Sequence, residues 1–318
     1  MKIVILEGSS VNPGDLSWDS MSQFGAVTVY DRTPADKAAE RIGDAEIVLI
    51  NKTPITAAVL DCCPSLRLIC VLATGYNVVD CAAAKARGIC VCNVPAYGTA
   101  AVAQFTFSLL LELCNRVGHH DLLVHQGQWC ECPDFCFWAT PQIELAEKSI
   151  GIIGFGKIGR AVGRIAKAFG MEVLAYNRSR CPEGEAIGKY VDLETLLSRS
   201  HIISLHCPLT EETTDIIRAE TLTKMNDGTI LLNTARGGLL NESDVSAALH
   251  SGKLRAVAVD VASAEPIKPN NPLLTAPNCI ITPHMAWSPV ESRQRIIECT
   301  VKNIQAYISG EPVNVVNP

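Results

Sequence analysis

The chain has 318 residues, room for one large or two ordinary domains at ~150 residues each. With 48% apolar and 19% charged residues it can bury a sizeable core, so general disorder is excluded. A net charge of −6 argues against a nucleic-acid protein, and no run approaches the ~18 apolar residues a membrane helix needs.

Met1-Lys2-Ile3-Val4-Ile5-Leu6 reads as an opening strand with no apolar signal region or cleavage site behind it, so a soluble, cytoplasmic protein is expected. Short β-branched runs at 2–6, 27–30, 47–50, 68–72 and 89–92 form a first series of strands. A second series falls at 149–153, 172–176, 202–205, 229–233, 256–259 and 279–281. Amphipathic helical patterns lie between strands, for instance at 158–169, 242–251 and 289–309. This alternation predicts parallel sheets with right-handed crossovers, hence an open α/β fold. The six strands of the second series suffice for one dinucleotide-binding sheet, and the first series makes a smaller α/β unit. No Gly/Ser-rich linker separates them. A crossing is expected at 93–99.

Fourteen cysteines are unusual for such a chain. Cys70, Cys90, Cys92, Cys114 and Cys279 sit in apolar runs, where a free thiol behaves as a small buried hydrophobe. Cys130, Cys132 and Cys136 alone have a look of metal ligation. No second Cys or His pair follows at zinc spacing, and Trp129, Phe135, Phe137 and Trp138 interleave them. An aromatic arm packing on a neighbour is the preferred reading, and no metal is expected.

Gly154-Phe155-Gly156-Lys157-Ile158-Gly159 is a G-x-G-x-x-G that follows a strand and opens a helix. That context marks a dinucleotide turn: a tight bend at Gly154, backbone approach to a pyrophosphate at Gly156, and helix–strand contact at Gly159. The helix start adds amides and the positive end of its dipole. After the next strand, Tyr176-Asn177-Arg178-Ser179-Arg180 has no carboxylate where NAD-binding chains carry one. An Asp would repel a 2′-phosphate, whereas Arg178 and Ser179 can bind one, so NADP is favoured over NAD. The alternative is a solvated loop in which Asn177 serves the ribose of NAD.

Three later strands end in polar groups, at Asn233-Thr234-Ala235-Arg236, at Asp260 running on to Glu265-Pro266, and at Thr282-Pro283-His284. Open α/β sheets bind ligands at this end. A cation, an acid and an imidazole together suit reduction of a 2-oxo acid, because they can hold a carboxylate, polarise a carbonyl and supply a proton.

These segments, with Ala73-Thr74-Gly75-Tyr76-Asn77, Asn93-Val94-Pro95-Ala96-Tyr97-Gly98 and His206-Cys207-Pro208-Leu209-Thr210, carry a resemblance over essentially the whole chain. It resembles the D-isomer-specific 2-hydroxyacid dehydrogenases, nearest the glycerate dehydrogenase (hydroxypyruvate reductase) branch. The resemblance implies two open, doubly wound parallel-sheet domains, a larger Rossmann dinucleotide-binding domain (99–287) inserted into a smaller flavodoxin-like substrate domain (1–98 and 288–318). It implies that Arg236 binds the substrate carboxylate and helps polarise the keto group, that His284 is the proton donor, and that Glu265 orients His284. The amides of Thr74 and Gly75 would complete the carboxylate site, with closure of that loop excluding water. Lys52 would help select the substrate's hydroxymethyl end. Along the cofactor, the resemblance places Gly154, Phe155, Gly156, Lys157, Ile158 and Gly159 at the pyrophosphate, and Asn177, Arg178 and Ser179 at the adenosine ribose. His206, Cys207, Pro208, Thr213, Thr234, Ala235 and Asp260 would lie towards the nicotinamide. Cys207 is not read as a nucleophile, since hydride transfer needs no covalent step.

Residues 117–138 resemble the family's dimerisation arm, which makes a C2 homodimer the expected assembly. Ala146-Glu147-Lys148 departs from the family pattern of a Gly before the Lys, and Gln104 replaces a commonly acidic position. The implied reaction is NAD(P)-dependent reduction of hydroxypyruvate or glyoxylate to D-glycerate or glycolate. A phosphoglycerate dehydrogenase is the nearest enzymatic alternative; the chain's end at Pro318 and the lack of an Arg cluster in the first domain weigh against it. A dinucleotide-sensing regulator of the same fold is a second alternative.

Overall fold

A computed structural model describes all 318 residues. The chain divides into two compact units, Met1–Gly98 with Trp287–Pro318, and Thr99–Ala286. Each is built on one parallel sheet.

In the smaller unit the strands are β1 (Lys2–Ile5), β2 (Ala26–Val29), β3 (Ile47–Ile50), β4 (Leu68–Val71) and β5 (Cys90–Cys92). Their order is β2-β1-β3-β4-β5. The runs IVLI and LICV of β3 and β4 are buried throughout, as central parallel strands with both faces covered must be. One face is covered by the helix Val290–Ile308, whose Ile296, Ile297, Thr300, Asn303 and Ile304 form its buried side. Beyond that helix the chain runs back along β5: the Val316 amide donates to the Val91 carbonyl at 2.9 Å, and Val315 bridges Cys92.

The larger unit has β6 (Ser149–Ile153), β7 (Glu172–Tyr176), β8 (Lys189–Tyr190), β9 (Ile202–Leu205), β10 (Thr229–Asn233), β11 (Leu254–Val259) and β12 (Cys279–Ile281). The order is β12-β11-β10-β9-β6-β7-β8, so the winding direction reverses between β6 and β9. In the smaller sheet it reverses between β1 and β3. Such switch points open a crevice at the carboxyl ends of the strands. The alternation in the sequence accounts for eleven of these twelve strands; β8 has two residues, too few to show a period.

The helix Thr99–Asn115 packs through Ala103, Phe107, Leu110 and Cys114 into the core shared with the helix Lys157–Ala168, and leaves Gln104 exposed. Phe107 stacks on Phe169 with ring centroids 5.3 Å apart. Glu147 takes φ 65°, the left-handed conformation that favours glycine, so a Gly at this turn has a steric basis. After the helix Val117–His125 the chain lacks regular structure up to β6, and Trp129, Phe135 and Trp138 are exposed there, Phe135 to 90%. No helix is long and apolar enough to cross a membrane.

Candidate active site

The three glycines of the turn after β6 stand in different surroundings. Gly154 has φ 94°, and a Cβ there would lie 2.3 Å from the amide nitrogen of Cys207. A Cβ on Gly159 would lie 2.2 Å from the Gly154 carbonyl oxygen. One on Gly156 meets nothing within 4 Å. The first two are demanded by the protein's own packing. Gly156 faces open space, where a pyrophosphate can approach the backbone. Gly156 is also the N-cap of the helix Lys157–Ala168, which no side chain caps. An uncapped helix start beside a turn open on that side fits a dinucleotide phosphate.

Not every residue of the turn faces outward. Phe155 is fully buried, with its ring edge-on to Tyr190 at 5.7 Å, so it can offer a ligand only its backbone, whereas Ile158 is half-buried against the same core. Lys157 is exposed. The Asn177 side chain accepts from the Phe155 amide at 3.2 Å and donates to the Ser179 carbonyl at 2.8 Å, tying the turn after β7 to the turn after β6. Arg178 and Ser179 are exposed beside it.

Across the switch point, β9 ends in His206-Cys207-Pro208. His206 Nε2 lies 2.8 Å from the Ser204 hydroxyl, and burial pushes its pKa down to about 3, so the ring is neutral near pH 7. Burial raises the Cys207 thiol, which disfavours a thiolate and agrees with its exclusion as a nucleophile. The Thr213 hydroxyl donates to the Pro208 carbonyl at 2.7 Å and closes the loop that follows.

At the end of β10, Asn233 is fully buried. Its Oδ1 accepts from the Ala235 amide at 3.0 Å, and its Nδ2 donates to the Arg236 carbonyl at 2.9 Å. Thr234 is buried against Thr106, with hydroxyls 3.1 Å apart. Asn233 thereby fixes the bend and Arg236 projects outward, its side chain exposed. Gly237 is obligatory, since a Cβ would fall 1.9 Å from the carbonyl carbon of Ala262.

Asp260, at the end of β11, is 1% exposed. Its Oδ1 accepts from the Thr282 hydroxyl at 2.6 Å and the Met285 amide at 2.9 Å, and its Oδ2 from the Ala286 amide at 2.8 Å. Its carbonyl accepts from the His284 amide at 2.8 Å. Expected near the nicotinamide, this carboxylate is engaged by the chain's own donors and folds the loop that carries His284. His284 itself sits at φ 53°. Its Nδ1 is 2.7 Å from Glu265 Oε2, and Glu265 Oε1 accepts from the Ala262 amide at 3.2 Å. A carboxylate can only accept here, so Nδ1 carries the hydrogen. The loop leading to Glu265 is held by Glu242, which accepts from the amide and hydroxyl of Ser263 at 2.8 and 2.7 Å.

The smaller sheet carries its own polar loops at the same end. The Thr74 hydroxyl donates to the Val94 carbonyl at 2.9 Å, and Asn93 Nδ2 donates to the Thr74 carbonyl at 2.8 Å, so Thr74 and Gly75 lie in a pinned loop. Lys52 is exposed after β3. One oxygen of Glu7 accepts from the consecutive amides of Asn51, Lys52 and Thr53 at 2.8, 2.7 and 2.8 Å. Neither Glu7 nor Asn233 was singled out for a role by sequence reasoning. A polar residue at each strand end was the available signal.

The family profile of the D-isomer specific 2-hydroxyacid dehydrogenase NAD binding domain matches residues 107–286, more than half of the chain. The chain belongs to the D-isomer-specific 2-hydroxyacid dehydrogenases. It is 53% identical to the hydroxypyruvate reductase of Blautia hydrogenotrophica, covering all of both chains, and 41% identical to the glycerate dehydrogenase of Methylorubrum extorquens, covering 88% of each. Among solved structures it resembles an acyclic imino acid reductase in complex with NADPH and D-Arg, at TM-score 0.86 and 28% identity over 99% of this chain and all of that one. As a 2-hydroxyacid dehydrogenase the chain is an oxidoreductase that interconverts 2-oxo acids and D-2-hydroxy acids with a nicotinamide dinucleotide.

Proposed function

We propose that this dehydrogenase reduces hydroxypyruvate to D-glycerate, with glyoxylate as a second substrate and NADPH as the favoured reductant. The reading is carried by the Glu265–His284 pair, 2.7 Å apart beyond the sheet's carboxyl edge, in a chain 53% identical to a hydroxypyruvate reductase. Residues 99–286 act as the dinucleotide-binding domain and 1–98 with 287–318 as the substrate domain, one residue short of the expected boundary because Trp287 packs into the smaller unit's core.

A bound reduced nicotinamide supplies the hydride. His284 delivers the proton from Nε2 to the carbonyl oxygen, and Glu265 keeps the ring aimed through Nδ1 before and after that transfer. Arg236 pairs with the substrate carboxylate and draws charge from the neighbouring carbonyl, a task for a planar, permanently charged fork. The amides of Thr74 and Gly75 are assigned to the same carboxylate, and Lys52 to the hydroxymethyl end. The backbone of Gly154–Gly159 with the Lys157 side chain holds the pyrophosphate. His206, Cys207, Pro208, Thr213, Thr234 and Ala235 line the nicotinamide side, and Asp260 serves that side by holding the His284 loop.

NADPH is favoured because no carboxylate follows β7 to repel a 2′-phosphate, and Arg178 and Ser179 stand exposed at that point. A solved structure of the same fold holds NADPH. The exposed apolar arm around Trp129, Phe135 and Trp138 supports a homodimer, which sedimentation of the wild type and of Phe135→Glu would test.

The deciding experiment measures initial rates with hydroxypyruvate and glyoxylate, each with NADH and NADPH, for wild type, His284→Gln and Arg178→Ala. The reading expects collapse in the first variant and a selective loss of NADPH use in the second. Preference of the wild type for NADH would overturn the cofactor assignment and leave the triad in place. Dinucleotide binding without turnover of either acid would overturn the substrate assignment.

A further inference from the structure

The smaller unit contains a group of thiols that the chemistry above does not use. Cys90 and Cys92, two apart on β5, project from the same face of the strand. Their sulfurs lie 3.7 Å from each other. Cys70 on β4 pairs with Cys92, and Cys299 of the helix Val290–Ile308 packs into the same core. The four are not arranged as metal ligands. Cys70 and Cys92 are buried, whereas Cys90 is half-buried and is the more exposed residue of the close pair.

We propose that Cys90 and Cys92 form a reversible, hydroperoxide-sensitive dithiol. The Cys90 thiolate attacks a hydroperoxide oxygen; the O–O bond breaks, the alkoxide or hydroxide leaves, and Cys90 becomes a sulfenic acid. The Cys92 sulfur then attacks the sulfenic sulfur, the S–O bond breaks, and the oxygen leaves as water. The two thiols are oxidised to one disulfide and the hydroperoxide is reduced to an alcohol, or to water from hydrogen peroxide, with one further water. The order of events follows from the asymmetry of the pair. In the 3.7 Å contact Cys90 is held below its ordinary value by its hydrogen bond with Cys92, and Cys92 above its own by the same contact and by burial. The more exposed residue of the pair is therefore the one with the larger thiolate fraction.

The bond would not be a comfortable one. At ~3.3 Å of rise per residue, positions two apart on a strand separate their Cα atoms by roughly 6.6 Å, near the upper end of what a disulfide spans. Strand β5 must pucker to close it, and a strained disulfide is readily reduced. The pucker falls where β5 holds the end of the chain. The Val91 amide donates to Asn317 Oδ1 at 2.8 Å, and its carbonyl accepts from Val316 at 2.9 Å. Oxidation therefore loosens residues 315–317.

The test treats the full chain with about one equivalent of hydrogen peroxide. The expected result is loss of two of the 14 thiols, a mass two hydrogens lower in the peptide carrying Cys90 and Cys92, faster amide exchange at 315–317, and reversal by dithiothreitol. Cys92→Ser, with Cys92→Ala as a second form, should stop at a sulfenic acid that dimedone traps on Cys90. In Cys90→Ser that adduct should vanish. The proposal is overturned if the exposed Cys62 or Cys130 reacts first while Cys90 and Cys92 remain alkylatable, or if the disulfide joins either residue to Cys70 or Cys299.

Discussion

Asp260→Asn probes the loop that presents His284 without touching any group assigned to the substrate. The carboxylate accepts three hydrogen bonds in a site 1% exposed. An isosteric amide keeps one acceptor oxygen, which can retain the Thr282 hydroxyl and the Met285 amide as neutral bonds. Its NH2 group would then face the Ala286 N–H, donor against donor, and one buried bond is lost outright. An unsatisfied buried group costs about 1–3 kcal/mol, and a bond to a charged acceptor exceeds a neutral one by about 1 kcal/mol, so the total is roughly 3–5 kcal/mol. At about 2–4 °C per kcal/mol for a unit of this size, the melting temperature should fall by roughly 6–20 °C. Displacement of the loop by as little as ~1 Å would lower kcat by about 10²-fold. Calorimetry and initial rates on Asp260→Asn, beside the exposed Glu311→Gln as control, supply both readings. A variant that melts within 2 °C of wild type and turns over at the wild-type rate would refute the assignment of Asp260 as the loop's anchor.

Glu147→Gly should raise stability by up to about 1 kcal/mol, since a left-handed residue costs ~1–2 kcal/mol and the greater freedom of Gly when unfolded returns part of that; urea unfolding measures the sign. His206, with a folded pKa of about 3 against ~6.5 when unfolded, leaves the unfolded chain with the extra proton between those values, so stability falls as pH drops through that window. His206→Asn should flatten the slope between pH 6.5 and 3 by at most about 5 kcal/mol in total, read as the difference in urea midpoints between the two proteins at pH 7 and pH 4. Glu7→Gln keeps an acceptor but loses its charge. The KM for hydroxypyruvate should rise roughly 2–10-fold with little change in kcat, and an unchanged KM would remove Lys52 from the substrate site.

What the chain says aloud and what it hides follow from the range of the interactions. Strands such as β3 and β10 are legible because continuous apolar β-branched runs between turns have few other solutions. The dinucleotide turn is legible because Gly154, Gly156 and Gly159 answer local demands. Glu265 and His284 were legible only jointly, through their order behind that turn, and the structure brings their side chains within 2.7 Å. Asp260 was expected beside the cofactor through the family resemblance. Its three donors come from residues 282–286, more than twenty positions on, and no local pattern announces such a bond. Phe155 shares the motif's positions but faces the core, a distinction set by the packing of helix on sheet.

Glu7 and Asp260 point to one constructional rule in both units. At the carboxyl edge of a parallel sheet, consecutive loops must bend back sharply and leave backbone amides without a strand partner. In each unit one carboxylate from a strand end gathers amides from a neighbouring loop: three with Glu7, two and a hydroxyl with Asp260. The anions fix backbone, and the loops so fixed present Lys52 and His284. A neutral side chain in either place would hold its loop by weaker bonds, and the precision lost would fall on residues that the anion itself never touches. Catalytic groups on loops thus inherit order from buried charge, and damage at such an anchor should track kcat where the loop carries the proton donor and KM where it carries a binding group.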